Sequence, residues 1–182
     1  DYNLLSEEVS SGFCIIEDKN DHVWYGGPSG LFLIDKKKAN ARPEKISPLR
    51  IFNLVQFNDS ILWAGTRKGS MFQINTRTLK VTSLPILPHT DLYVTYIYPD
   101  SHQRIWIGTD NNGLYVSDRN GSIIASYSKE QLGSNAIKGI IEDEMNNIWV
   151  GTGSGLCCIN PQMENIDRYT TADGLPINQF NY

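Results

Sequence analysis

At 182 residues the chain is long enough to bury a sizeable core, and its 40% hydrophobic and 20% charged content excludes a disordered segment. A net charge of −4 excludes a sequence-independent nucleic-acid binder, which needs a basic face. No apolar run reaches the roughly 18 residues that span a bilayer, and the chain opens on Asp1 without a signal peptide, as expected of a trimmed piece of a longer protein.

In chain order, polar residues 1–11 lead into a first strand from Gly12 to Asp18. A turn over Lys19 to His22 follows, then a second strand from Val23 to Gly26 and a turn ending at Gly30. Leu31 to Asp35 reads as a third strand, and the residues around Glu44 to Ile46 as a fourth, outer one. The same order returns from Val94 to Leu114, around Ile105-Trp106-Ile107-Gly108-Thr109, and from Ile140 to Leu156, around Ile148-Trp149-Val150-Gly151-Thr152. A degenerate copy runs through Leu62-Trp63-Ala64-Gly65-Thr66.

The four tryptophans occupy one position of this repeat and stand 39, 43 and 43 residues apart. Strand-rich units at that period are the pattern of a propeller array. The repeats fall at about 12–50, 51–92, 93–135 and 136–178, and a further one begins within 175–182, where Leu175 to Phe180 echoes Leu132 to Ile137. The fold class expected is all-β: about four four-stranded β-propeller blades, a fragment of a larger, seven-bladed ring. Its end blades would expose apolar faces, so self-association is expected.

The inner strands, such as Phe13 to Ile16 and Ile105 to Ile107, are continuously apolar, which predicts burial on both faces. The tryptophans are therefore expected to pack between blades rather than to form sugar platforms. Asp18, Asp100 and Asp143 each stand six residues before a tryptophan, placed to accept backbone N–H groups in the first turn. Phe57 takes that place in the second repeat, so its turn must be built differently. Cys14, Cys157 and Cys158 read as small buried hydrophobes, the adjacent pair pointing to opposite faces.

Candidate ligand contacts lie where the repeats differ, in the turn between the second and third strands. Arg67 and Lys68 suit a carboxylate or sulfate on an acidic sugar, while Asp110, Asn111 and Asn112 suit hydroxyls. The alternative is that all five are solvated turn residues. Tyr93, Tyr96 and Tyr98 are expected on one strand face, packing in the core first and stacking at the surface second. His22, His89 and His102 are scattered without metal-site spacing, and no Ser-His-Asp context appears. No metal, no cofactor and no catalytic activity are expected of this segment.

These residues resemble the two-component regulator propeller repeats of the periplasmic sensor region of Bacteroides-type hybrid two-component systems. The unit appears as Ile141-Glu142-Asp143, Ile148-Trp149-Val150-Gly151-Thr152 and Gly155-Leu156, and nearly as clearly around Trp106. Thr171 to Asn181 is similar to a segment found late in such sensors, before an immunoglobulin-like domain. The resemblance implies a membrane-anchored histidine kinase whose periplasmic propellers detect oligosaccharide breakdown products and regulate polysaccharide-utilisation genes. It places the kinase and DNA-binding parts outside these residues, so no direct nucleic-acid contact is expected here. A protein-binding scaffold is the alternative function, and a glycan-active propeller enzyme the third.

Overall fold

The computed structural model describes residues 13–66, 68–84 and 92–178. Its strands form four four-stranded antiparallel sheets, each a meander in which sequence neighbours pair. The first sheet holds β1 (Cys14–Glu17), β2 (His22–Gly27), β3 (Gly30–Asp35) and β4 (Glu44–Ser47). The second holds β5 (Ile51–Asn58), β6 (Ile61–Thr66), β7 (Met71–Asn75) and β8 (Val81–Ser83). The third holds β9 (Val94–Pro99), β10 (Ile105–Thr109), β11 (Leu114–Ser117) and β12 (Ile123–Tyr127). After the single turn of helix α1 (Lys129–Leu132) the fourth holds β13 (Ile137–Glu142), β14 (Ile148–Thr152), β15 (Gly155–Ile159) and β16 (Ile166–Tyr169). These are propeller blades, as the period requires. No helix of the described residues is long and apolar enough to cross a membrane.

Two compact units divide the chain, residues 1–86 and 87–182. In the first, Trp24, Leu31 and Leu33 of one blade form an apolar cluster with Ile51, Leu62, Ala64 and Ile74 of the next. In the second, Trp106, Leu114 and Val116 do the same with Ile140, Val150, Cys157 and Ile159. Burial of each such large side chain contributes roughly 1.5–3 kcal/mol. Blades approach closely because a glycine ends the tryptophan strand. A Cβ on Gly108 would stand 2.6 Å from Ile137 Cγ2, and one on Gly26 would stand 2.8 Å from Ile51 Cγ2.

Three expectations need correction. β10 is buried throughout, but Phe13 and Ile15 are 44% and 70% exposed. In the fourth blade Ile141 is 61% exposed, and Trp149, Leu156 and Cys158 are only half-buried. Side chains alternate across a strand, so an apolar run records two faces fit for burial, not a sheet packed on each. The three tyrosines also do not act as one row. Tyr98 packs on the core, while Tyr93, which precedes β9, and Tyr96 are exposed. Tyr93 lies outside the strand, three residues before Tyr96, so alternation does not place it on the face that Tyr96 and Tyr98 share. Of the cysteines only Cys157 is fully buried, though all three are free thiols. Burial pushes the Cys14 and Cys157 thiols up to about 11.

Candidate functional site

Each blade has a turn at either end of its tryptophan strand, and the two ends do different work. At the β9–β10 end, Asp100 Oδ1 accepts the Arg104 N–H at 2.8 Å, and Oδ2 accepts the Trp106 indole N–H at 2.8 Å and Arg104 Nε at 2.5 Å. Asp18 accepts the backbone N–H groups of Asn20 and His22 and the Trp24 indole at 2.8 Å. Asp143 accepts those of Met145 and Asn147 and the Trp149 indole at 2.9 Å. Asp21, Gln103 and Asn146, each three residues on, adopt left-handed φ values of 65°, 61° and 64°. Hydrogen bonds from the Asn147 side chain and then the Trp149 indole hold the Asp143 carboxyl down to about 2. Each of these carboxylates is committed to the hydrogen bonds of its own turn.

Ser101 Oγ lies 3.3 Å from His102 Nδ1, yet it donates to Glu142 Oε1 at 2.6 Å, and both contacts are exposed. The cluster ties the β9–β10 turn to β13. Among the described residues no group of three or more His, Cys, Asp or Glu is placed to hold a metal ion.

The other end carries the candidate site. Thr109 Oγ1 donates to the Gly113 carbonyl at 2.7 Å and accepts the Asn112 N–H at 2.9 Å, which fixes the turn from β10 to β11. Gly113, at φ 80°, donates its N–H to the Asn135 carbonyl at 2.9 Å. That bond joins the turn to the connector between the third and fourth blades. Within the connector, Asn135 Oδ1 accepts the Lys129 N–H at 2.7 Å, and Gln131 Oε1 accepts the Ser128 N–H at 3.0 Å. Turn, connector and outer strand enclose an open depression of about 320 Å³, within the range of small-molecule sites. Asn111, Asn112, Tyr115, Ser126, Tyr127, Ser128, Gln131 and Asn135 line it.

Of the sequence-derived candidates, Asn111 and Asn112 lie in this depression. Asp110 sits beside it and pairs with Lys138 at 3.4 Å. Lys68 is exposed in the other unit, and Arg67 lies outside the described residues. The connector residues Gln131 and Asn135 escaped sequence reasoning, but a signal for one was present. Asn178 follows Asn135 by one period, and its Oδ1 accepts the Thr171 N–H at 2.6 Å, the same kind of bond Asn135 makes to Lys129. The repeated asparagine caps the connector, which is why it recurs.

The sequence profile of the family described as two component regulator propeller matches residues 89–111 and 131–154. Histidine kinase P4 of Formosa agariphila is 24% identical over 98% of this chain and 17% of its own length. The extracellular domain assigned to a one-component system of B. thetaiotaomicron superposes with a TM-score of 0.75 at 23% identity, over 94% of this chain and 26% of that one. One assigned to a hybrid two-component system of the same organism gives 0.74 at 24% identity, over 92% and 23%. The chain thus spans about a quarter or less of these relatives. Residues 89–111 and 131–154 match two-component regulator propeller repeats, and the four described blades share one topology.

Proposed function

We propose that this chain is a ligand-sensing segment in the extracytoplasmic, periplasmic region of a membrane-anchored hybrid two-component histidine kinase. It binds oligosaccharides released from complex glycans, regulates polysaccharide-utilisation genes through parts of the protein elsewhere, and catalyses no reaction itself. The observation that carries the reading is the polar depression built on repeats of the regulator type. Its wall is the connector between two blades, so a ligand there touches the element that sets one blade against the next. The family resemblance, the histidine kinase relative and the sensor-like structural neighbours support the rest. A thermal-shift screen of the folded chain against defined oligosaccharides is the test, since a ligand selective for the native state raises Tm. No shift with any glycan would sink the reading.

A second reading, self-association as a protein–protein scaffold, is favoured by one observation. Trp149, Leu156 and Cys158 are half-buried, whereas their counterparts Trp106, Leu114 and Val116 are fully buried against the following blade. The occupant matching that face is a blade of a second copy, which offers strands of the same repeat.

A further inference from the structure

The depression beside the third blade has a definite hydrogen-bonding character. Four of its lining residues, Asn111, Asn112, Gln131 and Asn135, are amides, and none carries a formal charge. The oxygens of Gln131 and Asn135 are already committed, to the Ser128 and Lys129 N–H groups. Their NH₂ groups are thereby oriented away from those bonds, and they donate to no group among the described residues. The side chains of Asn111 and Asn112 form no hydrogen bond among the described residues either, and Ser126 adds an exposed hydroxyl. Donors and acceptors are therefore both present, and a hydroxyl group is itself both. An anion would find donors but no cation in the lining: Ser128 Oγ donates to the Glu130 carboxylate, a negative charge at the wall, and Lys138 pairs with Asp110 beside it. Desolvating a carboxylate or sulfate without a counter-charge is costly.

We infer that this depression selects a neutral, polyhydroxylated ligand, an uncharged oligosaccharide unit, over a uronate-bearing or sulfated one. This rests on the glycan-sensing reading above and narrows it. The residues that line the depression include no basic side chain.

The test is calorimetric titration of the full chain with neutral gluco-, galacto-, manno- and xylo-oligosaccharides of two to four units, each beside a uronate or sulfated counterpart. One neutral series binds, and its charged counterpart binds at least about tenfold more weakly. Gln131→Glu keeps an oxygen for the Ser128 N–H but replaces the NH₂ donor with an anionic oxygen. Asn111→Ala removes an exposed amide that holds no structural bond. Each weakens the neutral ligand by about tenfold, the scale of one lost hydrogen bond. A charged counterpart that binds as tightly as the neutral sugar, or a neutral sugar indifferent to both substitutions, overturns the inference while leaving glycan sensing intact. Absence of binding by either class overturns both.

Discussion

The indole N–H of Trp106 donates to the Asp100 carboxylate across 2.8 Å, with both groups buried. In the second blade the partner position is Phe57, whose ring lies 6.2 Å from that of Trp63, and the buried Trp63 Nε1 has no hydrogen-bond partner among the described residues. One turn position therefore decides whether the central tryptophan of a blade is satisfied.

Replacing Asp100 with Ala strands the Trp106 indole and removes the counter-charge of the Arg104 guanidinium, which keeps only its bond to the Pro161 carbonyl. A loss of about 3 kcal/mol is expected, since orphaning buried polar and charged groups costs that much. Asp143→Ala should cost less, because Trp149 remains half in water. Urea unfolding of the two variants checks the order. Equal losses would show that the bond to the indole is not what distinguishes them.

Phe57→Asp supplies the missing acceptor to Trp63 but gives up apolar contact with its ring. The fair reference is Phe57→Ala, which gives up that contact and supplies nothing. The aspartate variant should be the more stable of the two by about 1–2 kcal/mol, the scale of a satisfied buried donor. Equal denaturation midpoints would mean that Trp63 N–H does not reach a carboxylate from this position.

The blades were legible because four tryptophans at one period impose one architecture. The bond from Asp to Trp was only half legible. The six-residue spacing in three repeats was visible, but it suggested acceptance from the backbone, and the turn also folds the indole edge onto the second carboxylate oxygen. Asn111 and Asn112, singled out by asking where repeats differ, line the depression. Gln131 and Asn135 were not, because the match of Asn135 to Asn178 reads as a repeat boundary until its amide is seen capping the connector. Exposure of Ile15 and Ile141 was illegible, since an apolar strand does not record how many sheets cover it.

Stability should fall in acid in a defined window. The Asp143 carboxyl is held at about 2, below its ordinary 3.8. Burial alone would push Asp18 up, yet the Trp24 indole and the Asn20 and His22 N–H groups bring it below that value. A folded-state value below the unfolded one means the contribution is complete above pH about 4 and is lost as pH falls towards about 2. Denaturation midpoints between pH 5 and 2 should show this loss, and Asp143→Asn should flatten part of it. An unchanged acid profile in that variant would remove Asp143 as a contributor.

Gly108 and Gly139 make a matched pair for the close approach of blades. A methyl group at Gly108 meets Ile137 at 2.6 and 2.9 Å, whereas one at Gly139 meets nothing within 4 Å. Gly108→Ala should therefore destabilise by about 1–3 kcal/mol through overpacking. Gly139→Ala, within a strand, should be neutral or stabilising by up to about 1 kcal/mol, because it narrows the unfolded ensemble. Thermal unfolding of both decides the matter, and equal effects would mean the blade spacing is not set at Gly108.

Self-association is the prediction that tests the exposed blade faces. Ile141 pairs with Trp149 in the register that Tyr98 keeps with Trp106, but Tyr98 packs against a neighbouring blade and Ile141 is largely in water. Ile15, still more exposed, lies on β1, the first of the described strands. A contact between these two kinds of face is heterologous, so it can add copies in sequence rather than stop at a symmetric pair. Sedimentation should show mass rising with concentration, and Ile141→Glu should suppress it by placing a charge where another blade would pack. A monomer throughout the concentration range would mean that these faces do not recruit a second copy.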